Sequence, residues 1–326
     1  MQTLLLLLVK LILSLAAIVV RADWMTNGAS AVAVKLHIKP FIVGLTIVAM
    51  GTSAPELFVS VSSALQAASS GNSGLGDIAI GNVVGSNIFN NLLIIGLVAA
   101  MTPLTVSRVT VKRDLPIVVA SSLLLFFFLL NGSLSRIEGV LFICCFALFM
   151  WMTISKAKNG GEGETAEEVK VMPIWRAVLY ILVGLAVLVY ASDLFVEYAS
   201  DIAKSLNVSE KIIGLTIVGA GTSAPELATS VMAARKGQGE MAIGNVIGSN
   251  IFNILMILGL TGIIQPLDGI TINYIDLGVM IVAALLFWLF SYTKYMLERW
   301  EGYVFILLCI SYIVWLVIST KSTNLL

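Results

Sequence analysis

Charge is what this 326-residue chain has least of: only 12% of its residues are Asp, Glu, Lys or Arg, against about 25% in ordinary soluble domains. With 59% of its residues hydrophobic, a bilayer is its natural solvent. It also lacks a basic excess, because 19 basic residues meet 19 acidic ones. Gripping nucleic-acid phosphates needs such an excess, so nucleic acid is not an expected partner. His37 is the single histidine, which excludes His-rich zinc sites and argues against His-based triads. Cys144, Cys145 and Cys309 sit in apolar runs without ligand spacing and read as small buried hydrophobes, not disulfides or metal ligands. No Ser/Lys or Asp/Asp catalytic pair is evident, so neither an enzyme nor a cofactor is expected.

What the chain does have is ten apolar stretches, each near the roughly 20 residues that cross a bilayer. Their approximate limits are 3–21, 40–66, 77–100, 114–131, 134–155, 173–191, 210–234, 240–264, 272–293 and 300–320. The first resembles a signal peptide, but the stretch at 173–193 repeats its pattern inside the chain, so it is read as a true span. Placing the N-terminus outside puts fourteen of nineteen Lys and Arg on the cytoplasmic side, and leaves only Lys10, Arg136, Lys204, Lys211 and Lys321 opposite. Both termini are therefore expected outside. The fold class is an all-α membrane protein, with residues 1–155 and 173–326 as two five-helix repeats. Residues 156–172 form a polar cytoplasmic linker.

The halves are copies. Residues 42–57, IVGLTIVAMGTSAPEL, match 212–227, IIGLTIVGAGTSAPEL, at thirteen of sixteen positions, an offset of 170. Residues 81–90, GNVVGSNIFN, match 244–253, GNVIGSNIFN, at nine of ten, an offset of 163. Five spans separate each element from its copy. Five is odd, so the copies run in opposite directions, the inverted repeat of many secondary transporters.

Glu56 and Glu226 stand about sixteen residues into their spans, near the midplane. A carboxylate there costs about 2.5–3.5 kcal/mol, a large part of a stability of about 5–15 kcal/mol, so each needs a cation, a proton or a partner. Each Glu closes Gly-Thr-Ser-Ala-Pro-Glu, which reads as a broken helix. Gly51 and Gly221 weaken it, while Pro55 and Pro225 remove a backbone donor. Freed carbonyls and the hydroxyls of Thr52, Ser53, Thr222 and Ser223 would then surround the carboxylates. Ser53 and Glu56, like Ser223 and Glu226, also fit a plain capping box. Ser86 and Asn90, and likewise Ser249 and Asn253, are four apart and share a helix face. Asn82, Asn87, Asn245 and Asn250 read instead as interhelical tethers. Asn91 has no counterpart, since Ile254 stands at the equivalent position. Asp23 and Asp193 fall at the expected ends of spans one and six and suit a helix-end or interface role.

Such an all-oxygen set with a charge of at most −2 suits a hard cation that accepts six to eight oxygens, as calcium does. One calcium or two sodium ions would neutralise it. Competition of two cations for one alternately exposed site is the basis of antiport. Proton coupling through the two glutamates is the alternative.

At these motifs the chain resembles the cation/calcium exchanger superfamily, particularly its compact prokaryotic sodium/calcium exchangers. The resemblance spans nearly the whole chain and implies ten helices in inverted halves, with ions held between spans two, three, seven and eight. By motif position it implies a binding set of Ala49, Thr52, Ser53, Glu56, Ser86 and Asn90, then Gly219, Thr222, Ser223, Glu226, Ser249 and Asn253. Ala49 and Gly219 would act through their carbonyls. Transported sodium and calcium and the surrounding bilayer are the implied partners, in a prokaryotic plasma membrane; a monomer is compatible with the sequence. Potassium-dependent relatives carry Asp where this chain has Asn253, and proton-coupled relatives place Glu shortly after the Gly-Asn pair, which this chain does not. The large regulatory loop of animal exchangers is missing.

Overall fold

The computed structural model describes residues 2–70, 74–157, 172–206, 219–268 and 273–323. Residues 158–171 of the 156–172 linker and the first part of the seventh stretch, 210–218, lie outside them. Helices dominate. Among the described residues, eight are long and apolar enough to cross a membrane, or nine if the bent pair α2 (Pro40–Thr52) and α3 (Ala54–Ser70) counts as one span.

The first helix, α1 (Gln2–Leu36), and α7 (Ile174–Ser205) run 35 and 32 residues, well past the expected limits of 3–21 and 173–191. The reason is that the sequence beyond Arg21 is amphipathic, not a loop. Ala22, Met25, Ala29 and Val32 recur at helical spacing and are buried, so packing carries the helix through the charged residues. Asp23 and Asp193 therefore stand inside helices, not at their ends. At about 1.5 Å per residue both helices exceed the roughly 30 Å hydrocarbon core, which a tilt accommodates. They lie side by side: Trp24 stacks on Tyr180 at 5.1 Å, and a Cβ added to Gly28 would meet Ala177 O at 2.6 Å. The interface role of Asp23 is realised, since its Oδ1 pairs with Lys236 Nζ at 2.6 Å. Lys236 Nζ also donates to Asn27 Oδ1 at 2.6 Å, and Ser30 Oγ donates to Gln238 Oε1 at 2.7 Å. One face of α1 is thus tied to the turn that follows α9, introduced below.

Two short helices, α8 (Gly219–Thr222) and α9 (Ala224–Arg235), repeat the break between α2 and α3. Ser53 (φ −82, ψ 12) and Ser223 (φ −84, ψ 8) are the non-helical residues at the two breaks. In the first, α2 and α3 bend by 45°. The centre belongs to α4 (Ile78–Met101) and α10 (Gly239–Ile264), whose apolar stretches are each 78% buried, against 11% for α1. Glycines allow the close approach there. A Cβ on Gly44 would come within 2.4 Å of Met241 O, and one on Gly244 within 2.3 Å of Phe41 O, so α2 and α10 cross backbone to backbone.

The remaining helices, α5 (Thr110–Asn131), α6 (Arg136–Ala157), α11 (Tyr274–Lys294) and α12 (Arg299–Thr323), flank this core. They present large apolar side chains outward, as Ile137, Leu289 and Leu307 do. Two-residue bridges join their loops: β1 (Leu104–Thr105) pairs with β4 (Met296–Leu297), and β2 (Ser133–Leu134) with β3 (Leu267–Asp268), both antiparallel. Adding the 163-residue offset to Leu104 and Leu134 gives Leu267 and Leu297, so the two bridges exchange partners, as a twofold axis requires. The glycine contacts behave alike. Gly139 abuts Gly259 O, and Gly302 abuts Gly96 O. Of the cysteines, all free, Cys309 is buried as expected, but Cys144 is exposed and Cys145 half-buried, because their helix α6 lies at the periphery.

Candidate cation-binding site

The site grows from the two helix breaks. Pro55 and Pro225 lack the amide that would continue the hydrogen-bond ladder, and the serine two residues earlier leaves the helical region. Each glutamate then falls in the first turn of the resumed helix. Both are 0% exposed. The capping-box alternative is not realised. Ser223 makes no side-chain cap, and Ser53 Oγ instead donates to Glu226 Oε1, 173 residues away, at 2.8 Å.

Around this pair the structure gathers Thr52, Ser53, Ser86 and Ser249 of the predicted residues. Ser86 Oγ donates to Glu56 Oε1 at 3.3 Å, and Ser249 lies beside the Glu226 carboxylate. Thr52 Oγ1 donates to Asn245 Oδ1 at 3.3 Å. Thr52, Ser53, Ser86, Asn90, Ser223, Ser249 and Asn253 are buried, and Thr222 is half-buried. Gly219 opens α8. The carbonyl of Ala49 is not left free, as the broken helix suggested: it accepts from the Ser53 amide at 3.0 Å. The Thr52 hydroxyl also reaches this oxygen, at 3.4 Å, and its one proton serves either Ala49 O or Asn245 Oδ1; in the second case a lone pair of the carbonyl stays open to a cation.

Asparagine amides bond across the two halves beside the glutamate pair. Asn90 Nδ2 donates to Asn250 Oδ1 at 3.2 Å, and Asn253 Nδ2 donates to Asn87 Oδ1 at 3.0 Å, which are equivalent bonds in the two halves. With its amino group committed, each amide turns its oxygen elsewhere. Asn91, which the sequence left without a role, accepts from Asn250 Nδ2 at 2.7 Å. Asn87, whose neighbour at the corresponding place is Ile254, donates to the Asn250 carbonyl at 3.2 Å. π-helical turns at Asn90–Ile94 and Phe252–Leu258 carry Asn90 and Asn253, a local widening frequent at functional positions.

The interhelical tethering expected of Asn82 and Asn245 is realised, on partners the sequence did not single out: Ser60, Thr229 and Ser230. Asn82 Nδ2 donates to the Glu56 carbonyl and to Ser60 Oγ, and Asn245 Nδ2 donates to the Glu226 carbonyl and to Thr229 and Ser230 hydroxyls. The signal was present: a serine stands four residues after each glutamate, at Ser60 and Ser230.

After all this bonding, Glu56 Oε2, Glu226 Oε2, Asn90 Oδ1, Asn253 Oδ1 and Ser223 Oγ remain buried without a hydrogen-bond partner. Leaving one buried polar atom unsatisfied costs about 1–3 kcal/mol, and more when it is charged. Acceptor oxygens left over in matching positions of two repeats form a donor set suited to a hard cation.

Comparison with known proteins agrees with this chemistry. The sequence matches the family described as Sodium/calcium exchanger protein over residues 6–155 and 176–321. The chain belongs to the sodium/calcium exchanger family. Among the relatives of this exchanger-family chain, the Sodium/calcium exchanger MaX1 of Methanosarcina acetivorans is 33% identical, with 93% of this chain and 96% of that protein covered. Inner membrane protein YrbG of Escherichia coli is 34% identical, covering 87% and 88%. A solved structure of the sodium-calcium exchanger NCX_Mj, soaked with sodium and calcium, superposes with a TM-score of 0.78 at 30% identity, covering 95% of this chain and 98% of that one. Exchanger-family membership and the apolar helices make the protein an integral membrane protein of ion transport.

Proposed function

We propose that this protein exchanges sodium for calcium across the membrane by alternating access. Its ten spans form inverted repeats at 1–155 and 173–326, joined by a cytoplasmic linker. The partner-exchanging bridges and glycine contacts support the twofold relation. The observation that carries the reading is the symmetric set of partnerless buried oxygens on Glu56, Glu226, Asn90 and Asn253. A cation supplies what these atoms lack.

The site is assigned to Ala49, Thr52, Ser53, Glu56, Ser86 and Asn90 with Gly219, Thr222, Ser223, Glu226, Ser249 and Asn253. Two carboxylates balance one calcium or two sodium ions, so the cargoes exclude each other, and only a loaded site is neutral enough to cross. The long helices α1 and α7 slide against the core and expose the site to alternate sides. Both termini face outward from a plasma membrane.

Purified protein in liposomes, given sodium, potassium or proton gradients one at a time, tests this. Calcium uptake should follow an opposing sodium gradient and ignore the other two. Uptake that tracks a pH gradient with sodium absent would replace sodium coupling with proton coupling.

A further inference from the structure

Away from the ion site, a cavity of about 360 Å³ opens where the ends of four spans converge. Lys39 and the apolar Phe41 and Ile42 line it from the start of α2, Ser107, Arg108, Val109, Thr110 and Arg113 from the approach to α5 and its first turn, Thr153 from the last turns of α6, and Glu240 from the first turn of α10. It shares no residue with the cation site.

Three features define its chemistry. It is rich in positive charge: Lys39, Arg108 and Arg113 stand against the one acidic wall residue, Glu240, and Arg113 Nε is held by the buried Asp114 at 2.6 Å. Its place at the span ends suits the membrane interface. Arg108 lies 5.4 Å from the ring of Tyr295, and exposed Trp300 stands close by in the chain, aromatics of the type that sit at headgroup level. The third feature is a hydroxyl. Thr153 is 1% exposed and lines the cavity, yet its Oγ1 has no partner. Thr26, Thr46 and Thr261 in other helices all satisfy theirs on the carbonyl four residues back.

We infer that this cavity is a binding site for the headgroup of an anionic phospholipid, with the phosphate diester held by Lys39, Arg108 and the Thr153 hydroxyl and the glycerol region against Phe41, Ile42 and Val109. Charge chooses the ligand: basic pockets between membrane helices recognise acidic headgroups. The apolar wall chooses a lipid over free phosphate, because a bare anion leaves that surface uncovered. The bound lipid joins α2, α5, α6 and α10 at one end of the core.

Full-length protein in nanodiscs of phosphatidylcholine, with or without phosphatidylglycerol, tests the site by native mass spectrometry and thermal unfolding. Wild type should retain phosphatidylglycerol preferentially, and its unfolding midpoint should rise with the fraction of that lipid. Lys39→Gln and Arg108→Gln should each lower retention about fivefold, and Thr153→Val should lower it without changing charge. Lys35→Gln and Lys112→Gln, basic residues outside the cavity, should change it little. Calcium-dependent stabilisation, which reports the cation site, should persist in every variant. Equal retention of both lipids by wild type, or equal losses in the Lys35 and Lys112 controls, would overturn the site. Inorganic phosphate that displaces the lipid and itself raises the midpoint would overturn the lipid assignment in favour of a phosphate site.

Discussion

At the scale of single residues, the proposed exchange turns on oxygen atoms whose bonding is incomplete. Glu56→Gln and Glu226→Gln replace a carboxylate oxygen with a donor, so each should weaken calcium binding by about 10- to 100-fold, the worth of one interaction with a charged group. Isothermal titration of the purified variants checks this, and unchanged affinity would contradict the site. Asn253→Asp puts a third negative charge beside the pair without altering size. It should tighten calcium binding and slow its release, visible as a lower half-saturation together with a lower maximal uptake rate. The glutamates, hydroxyls and asparagines of the candidate site were legible in the sequence because they recur at a fixed offset within each motif. Asn91 was not, because it lacks a copy; its role exists only where Asn250 from the other half reaches it.

At the scale of elements, packing distances set the tolerance to change. Gly244→Ala would place a methyl 2.3 Å from the Phe41 carbonyl, where backbone faces backbone and neither side can yield. Such overpacking costs about 1–3 kcal/mol, so the variant should unfold several degrees below wild type. Gly278→Ala on α11 meets nothing within 4 Å, and thermal scans should place it at or slightly above wild type. The lengths of α1 and α7 were misjudged from hydropathy because charge in a sequence window hides amphipathic packing. Asp23 looks like the end of a span until Lys236, more than 200 residues away, is placed against it.

For the whole molecule, the consequence is an asymmetry laid over a twofold plan. The tie of Asp23, Asn27 and Ser30 to Lys236 and Gln238 has no chemical copy: the offset of 170 carries Asp23, Asn27 and Ser30 to Asp193, Glu197 and Ser200, but it carries Gln66 to Lys236. No salt bridge can form there by symmetry. Breaking the tie with Asp23→Asn should therefore shift the resting orientation, seen as faster labelling of a cysteine placed at the inner end of α1. Lys236→Gln should give the same shift, and the double variant no more than either alone.

By itself the sequence determined the membrane solvent, the duplicated halves and the acidic pair, since each depends only on composition or on internal comparison. Only the tertiary structure decided which oxygens remain without partners, how far the outer helices extend and where four span ends enclose a basic cavity. Those properties arise between residues distant in the chain, and hydropathy and spacing carry no information about which distant surfaces meet.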